Sequence, residues 1–449
     1  MSSLRAGVIA VLLLAPGAAA SAQVLQPPPR TTGGLFGGDR PVDPNRSRQE
    51  LTLTLDALAG YGDVLLNEGL SELTSPDGGS ENSYSGLATA TGRYWLGRAA
   101  RHIEATGSAQ VVSYSTALSG PLIGGHGGVS ATTSLGSRTS VDADFRAEYR
   151  PTYVLGSFGD VSDGVSAGVA TDPTGGATEI RTLSRGSHAG LRREWTTRQH
   201  SAVEYSLGYF EFSGGAEANS TMHGQSLTHA WQFSRTSGIR VAYRRETWQS
   251  VHTVGPTDSL THNADFGLDY RKRLSRTRQL AFAFGAGVMR GEVTNGETYL
   301  APSAHGSAQF DFARTWNIGA GVQRHATVLE GITRSSFLTS SVGLTLGGRV
   351  HDRVTLAVSG QFSRGTAAAG AAGSFETING TVQCDYALAR WGSVLMNYSS
   401  YGHTLRGVTG IPEGLPSRFQ RQSVRVGITV WLPLYGSFER ERGRTTPRS

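Results

Sequence analysis

The chain contains one cysteine, Cys384, and one lysine, Lys272, among its 449 residues. A single thiol excludes any intrachain disulfide, so a large fold must be held together without cross-links. With lysine nearly absent, arginine carries almost all of the positive charge. Those arginines are spread evenly along the chain. That excludes the gathered basic face a nucleic-acid surface requires, so no nucleic-acid partner is expected. Beyond residue 22 no apolar run reaches the roughly 18 residues of a spanning helix. No break in composition divides the chain into domains.

Glycine is abundant, with 60 residues, and serine and threonine are distributed throughout. Such a composition suits many short strands joined by turns better than a disordered tail. The first residues stand apart. Arg5 precedes the apolar stretch "AGVIAVLLLAPGAAA", and Ala20, Ser21 and Ala22 form a small-residue cleavage site. Residues 1–22 are therefore expected to be a secretory signal peptide. Loss of Arg5 takes the formal charge from +6 to +5, that is, 40 Arg and Lys minus 35 Asp and Glu. Residues 23–46, "QVLQPPPRTTGGLFGGDRPVDPNR", read as a Pro/Gly-rich arm.

From Ser47 the pattern becomes alternating. In "SVRVGITVWLPL", 423–434, Val424, Val426, Ile428, Val430, Leu432 and Leu434 share one face, and Arg425, Gly427, Thr429, Trp431 and Pro433 the other. In "VDADFRAEY", 141–149, Val141, Ala143, Phe145, Ala147 and Tyr149 oppose Asp142, Asp144, Arg146 and Glu148. A period of two is the signature of a strand. Applied along the chain it gives about 18 strands. Their connections alternate in length. Tight turns surround Arg98, Arg138, Arg198, Arg235, Arg276, Arg314, Arg349 and Arg390. Longer connections, 61–82, 117–127, 156–180, 214–223, 249–259, 293–299, 329–335, 366–373 and 402–418, are rich in Gly, Ser, Asp and Pro. The unit that repeats is a hairpin.

Three features choose a membrane barrel over a soluble sandwich or propeller. Short turns alternate with long loops, as periplasmic turns alternate with extracellular loops. The polar faces carry several charges each, and ions in a packed core would each cost several kcal/mol unless paired. Trp95, Trp195, Trp231, Trp316, Trp391 and Trp431 all lie near the short-turn end, which suggests an aromatic girdle. Tyr61, Tyr153, Tyr209, Phe210 and Tyr401 are candidates for the opposite rim. In lipid every backbone polar group must be paired, so an all-β chain must close on itself. The expectation is an all-β, transmembrane, antiparallel up-and-down β-barrel of about 18 strands over 47–434, with a charged periplasmic tail over 435–449.

On these features the chain resembles the porin-like outer-membrane β-barrels of Gram-negative bacteria, as architecture more than as a sequence signature. "RVGITVWL" also looks like the barrel-assembly signal of such proteins, through Arg425, Gly427, Val430 and Leu432. It departs from that pattern in being followed by "YGSFERERGRTTPRS", whereas the signal usually ends the chain. The resemblance implies outer-membrane localisation. It also implies contact with membrane lipid and the barrel-assembly machinery, and passage of small hydrophilic solutes.

No motif for covalent chemistry emerges. "GVSAG", 164–168, matches a nucleophile elbow but lies in a Gly-rich loop, without the strand and helix an elbow needs. "GAGVMRG", 285–291, sits inside a strand and marks small inward residues or a bend. The 12 histidines show no metal-ligand spacing, and no cofactor or metal is expected. Cys384 is expected to face lipid. The candidate functional surface is the lumen. By alternation it includes Asp142, Asp144, Arg146, Glu148, Arg150, Arg192, Glu194, Arg240, Arg244, Glu246, Asp265, Asp269, Arg271, Asp311 and Asp385. The long loop 156–180, with Asp160, Asp163, Asp172 and Glu179, occupies the position that forms a constriction in the porins this chain resembles; a plain surface loop is the other reading. The expected role is passive or weakly selective diffusion without enzymatic chemistry. A barrel serving envelope export, such as polysaccharide secretion, is the alternative, and an outer-membrane hydrolase a more distant one.

Overall fold

The computed structural model describes residues 48–64, 81–98, 101–114, 121–151, 181–213, 218–252, 255–275, 277–293, 297–313, 315–328, 336–368, 373–389, 391–408 and 417–436. The expected signal peptide, arm and loop 156–180, including its "GVSAG", lie outside these residues, as does the tail beyond Gly436. Eighteen strands account for nearly all of them. The first six are β1 (Arg48–Val64), β2 (Glu81–Arg98), β3 (Arg101–Tyr114), β4 (Leu122–Ser134), β5 (Thr139–Arg150) and β6 (Arg181–Thr196). Then follow β7 (Gln199–Ser213), β8 (Ala218–Gln232), β9 (Ser237–His252), β10 (Gly255–Arg273), β11 (Gln279–Val293) and β12 (Thr298–Asp311). The last six are β13 (Asn317–Val328), β14 (Ser336–His351), β15 (Val354–Ala367), β16 (Ser374–Ala389), β17 (Gly392–Arg406) and β18 (Arg418–Gly436).

Each strand pairs antiparallel with its neighbours in sequence, and β1 pairs with β18 to close the sheet. The closing ladder runs from Glu50↔Gly436 to Asp63↔Gln422, with one bulge between Leu51 and Thr52. Tyr435 and Gly436 thus belong to the wall, not to the expected tail. At this seam a Cβ on Gly427 would run into the carbonyl oxygen of Ala57, so the residue must be glycine for β1 and β18 to approach.

The period-two pattern becomes two faces. On β9, Val241 is 55% exposed, whereas Arg240 beside it is 5% exposed. The same alternation leaves Ile123, Phe145, Phe266, Phe284, Leu344, Ile378 and Ile428 exposed on the outer wall. In water each of these side chains would forgo about 1.5–3 kcal/mol of burial. Against hydrocarbon that cost vanishes, and the charged face is left for a wet interior. The wall is that of a transmembrane barrel.

Four strands extend by five residues or more into segments expected to be loops. β4 starts at Leu122, β8 at Ala218 and β10 at Gly255, while β17 continues to Arg406. Beyond the hydrocarbon a ladder needs backbone pairing but no apolar side chains. Polar and glycine-rich stretches such as Gly124 and Gly125, paired with Gln110 and Ala109, therefore remain in the sheet.

The barrel is not round. Ser259 of β10 and Ser336 of β14 bring their hydroxyls within 3.1 Å, although the strands are four apart in the sheet. Four steps of wall span roughly 19 Å at ordinary strand spacing. The sheet must therefore bend sharply across β11–β13. Glycines on the inner face of β11 allow this bend: a Cβ on Gly285 would enter the His305 imidazole, and one on Gly291 the Tyr299 ring. The β12–β13 ladder is correspondingly short, ending at Ala304↔Arg324. "GAGVMRG" thus marks both small inward residues and a bend.

Candidate functional site: the lumen wall

All fifteen lumen candidates share register parity with the buried inner residues. On β5, outward Phe145 and Tyr149 alternate with Asp144, Arg146, Glu148 and Arg150. Residues two apart on a strand stand side by side on one face, and the lumen uses this spacing for local charge pairing. Arg150 grips Glu148 bidentately, with Nε and Nη2 donating to Oε1 and Oε2 at 2.6 and 2.9 Å. Arg146 lies 3.4 Å from Asp144, and Arg244 3.5 Å from Glu246. Gln309 donates to Asp311 at 3.3 Å, and Gln383 to Asp385 at 2.8 Å. Arg192 and Glu194 lie on the inner face of β6, and Glu194 takes part in the tight turn through its amide, which donates to the Arg138 carbonyl. Arg271 stands near the turn end of β10, its amide bonded to the Thr236 carbonyl.

A second kind of pairing crosses strands at the bend. Arg240, with its side chain 6% exposed, extends over Gly267 toward β12. Its Nη2 donates to His305 Nε2 at 2.6 Å, and its Nη1 lies 3.6 Å from Asp269. A guanidinium has only donors, so Nε2 accepts and the ring proton sits on Nδ1. Asp265 completes the group, 4.0 Å from the same imidazole nitrogen, and its Oδ1 is buried without a hydrogen bond. Ser303 donates to Asn263 at 2.7 Å just beyond. This seam ties β9 and β10 to β12 across the glycine strand.

Several inner residues were missed by the sequence reading. His188 lies 3.4 Å from both Asp142 and Asp144. Glu204 accepts from Ser226 at 2.9 Å. Arg93 and Glu104 pair across β2 and β3 at 2.7 Å. Asp56 accepts from Thr429 at 2.6 Å across the closing seam. Arg421 is 6% exposed on the inner face of β18, beside Arg425, which the sequence places on the polar face and which is 4% exposed and lies over Gly60. Parity would have found each of them, since His188 shares a face with Arg192, and Arg421 with Arg425. Among the residues of the expected assembly signal, Arg425 and Gly427 face inward, and Val430 and Leu432 outward.

The tryptophans divide. Trp195 and Trp231 are 48% and 45% exposed on the outer wall, and Trp391 is 60% exposed in its turn. Trp316 packs over Gly348 and donates to the Arg349 carbonyl at 3.0 Å. Trp95 and Trp431 depart from the expected girdle. Trp95 shares the inner face with Arg93 and stacks on His102 at 5.7 Å, and Trp431 shares the face of Arg425 and Thr429. Proximity to a turn suggested the girdle, but strand parity determines which side a ring meets. At the other rim Tyr61 and Tyr209 face outward, while Phe210 and Tyr401 are buried inside. Tyr153 lies outside the described residues. Cys384 has the outward parity of Val382 and Tyr386 and is partly buried.

Among the described residues no group of three or more His, Cys, Asp or Glu is arranged to hold a metal ion. No family model matches the chain, and no curated protein matches it. Solved barrels are similar in outline. Pseudomonas aeruginosa OccK7 (OpdD) is 8% identical, with a TM-score of 0.42, over 87% of this chain and 100% of its own. P. aeruginosa OccK9 (OpdG) is 11% identical at 0.41, over 86% and 98%. The alcaligin outer membrane receptor FauA from Bordetella pertussis is 9% identical at 0.36, over 88% and 77%. The closed barrel described above rests on this chain's own ladders.

Proposed function

We propose that the chain is an outer-membrane channel through which small hydrophilic solutes diffuse along a charged lumen, without covalent chemistry. One observation carries this reading: a closed barrel whose outer face is apolar and whose inner face is lined with paired charges. Such a wall accepts lipid outside and hydrated solutes inside. The lumen residues Asp142, Asp144, Arg146, Glu148, Arg150, Arg240, Asp265 and Asp269 would set its selectivity. Asp160, Asp163, Asp172 and Glu179 are proposed to narrow it, as an acidic constriction.

Planar-bilayer conductance of the purified barrel tests the proposal. Discrete, ion-carrying steps are expected. Arg146→Glu and Arg150→Glu together should move the reversal potential in a salt gradient toward cations. Absence of any open pore across salt concentrations and pH would overturn the diffusion reading in favour of an export or structural role.

A further inference from the structure

Over β7–β9 the outer wall is unlike a lipid-facing surface. On β16, outward Tyr386, Val382 and Ile378 carry the apolar band over much of the strand. On β8 the corresponding band is only Trp231 and Leu227, and Gln225 and His223 follow. On β9 it ends at Tyr243, and Arg245, Thr247 and Gln249 continue outward. With Tyr205 of β7 these residues line an open pocket of about 220 Å³ on the exterior of the barrel.

The pocket is built from fixed polar groups. Tyr205 Oη and His223 Nδ1 lie 2.9 Å apart, which orients the imidazole. Beside it, Tyr243 Oη holds His262 Nδ1 at 2.7 Å. The Arg245 guanidinium is exposed, with no carboxylate partner among the described residues. The nearest acids on this face stand farther toward the long loops: Glu211 on β7, Asp258 opposite Gln249, and Glu292 on β11. Arg290 pairs in register with His262 and adds a second outward cation.

Height decides what such a pocket meets. Arg245 stands eight residues along β9 from Ser237 at the short-turn end. With strands tilted by about 45°, eight residues climb roughly 20 Å, close to the top of a hydrocarbon band about 25 Å tall. The pocket therefore opens where acyl chains give way to headgroups on the long-loop side. It offers one guanidinium for a phosphate, and amides, a hydroxyl and imidazole for sugar hydroxyls.

We infer that Tyr205, His223, Gln225, Arg245, Thr247 and Gln249 form a binding site for the phosphorylated saccharide headgroup of an outer-leaflet glycolipid. The inference rests on the outer-membrane placement proposed above, but not on the pore being open. Native mass spectrometry from detergent micelles tests it, with diphosphoryl lipid A and its dephosphorylated form as probes. Wild-type barrel should retain the phosphorylated form about tenfold better, the factor expected from one charge-assisted hydrogen-bonded contact. Arg245→Gln should abolish that preference. Arg364→Gln, which removes an outward arginine of β15 paired with Glu376 at 3.6 Å, should preserve it. Equal retention of both lipids, or an unchanged preference in Arg245→Gln, overturns the site. So does a stable dimer that dissociates on the Arg245→Gln change, because the patch would then face a second copy. Failure of wild-type barrel to insert into vesicles would instead overturn the membrane reading itself.

Discussion

Arg240 is the lynchpin of the seam that crosses the bend, and its removal has a size that can be worked out. The guanidinium faces Asp269, which is 42% exposed, and lies beside His305 and Asp265, whose side chains are 15% and 10% exposed. The Asp269 pair is long and half in water, so its share is that of a surface pair, about 0.2–1 kcal/mol. Asp265 is different. Its buried Oδ1 has no hydrogen bond, and the Arg240 guanidinium, bonded to the imidazole that lies 4.0 Å from it, is a compensating charge within the group. Breaking a buried pair from one side costs about 3–5 kcal/mol, less where the lumen admits water. Arg240→Ala should therefore destabilise the barrel by about 2–4 kcal/mol in urea unfolding followed by tryptophan fluorescence. Adding Asp265→Asn to that variant should restore part of the loss, because the carboxylate left without a partner is gone. A coupling energy of about 1–3 kcal/mol is expected between the two positions. If the two changes simply add, within about 0.5 kcal/mol, the seam is not electrostatic and Arg240 acts only through its packed stem.

Two further predictions test the faces and the closure. In single-tryptophan variants reconstituted with brominated lipid, Trp195 and Trp231 should be quenched. Trp95, Trp431 and Trp248, which stacks at 6.2 Å on the inward Phe210, should not; quenching of Trp431 would place β18 one residue out of register. Gly427→Val should cost about 1–3 kcal/mol by overpacking the β1–β18 seam. It should lower the urea midpoint, whereas Gly86→Val, at a position where a Cβ meets nothing within 4 Å, should leave it unchanged. Equal midpoints for the two variants would refute the constraint at the seam.

The strand count and the two faces were legible because both depend on a period of two, which the sequence displays directly. β6 and β16 begin directly after the expected loops 156–180 and 366–373, at Arg181 and Ser374. The ends of β4, β8 and β10 were not legible, because a ladder above the hydrocarbon has no apolar signal to read. The lumen charges followed from parity at Asp142 through Arg150. His188 and His305 lie at inward parity but outside the acidic and arginine side chains from which the lumen is read. The bend was hidden for a different reason. It depends on Ser259 meeting Ser336 and on Arg240 reaching His305, contacts between strands three and four apart that no local pattern encodes. The three glycines of β11 announced smallness but not which side chains would lie on them.

The pairing pattern bears on how the proposed channel would discriminate. Arg146 with Asp144, Arg150 with Glu148 and Arg244 with Glu246 each set opposite charges side by side on one strand. Each pair acts on a passing ion as a dipole, whose field falls off faster than that of a lone charge and is further screened over about 8 Å at physiological ionic strength. A lumen built mainly from such pairs holds water and polar solutes without strongly favouring either sign. Selectivity is then sharpened where one sign gathers on the lumen wall. β18 gathers positive charge with Arg421 and Arg425 on one face, and the Asp142, Asp144 and Glu204 region around His188 gathers negative charge. Substitution within a same-strand pair turns a local dipole into a net charge, whose field reaches farther into the lumen than that of the pair. Arg150→Glu, for example, leaves two carboxylates side by side with Glu148 where a bidentate pair stood.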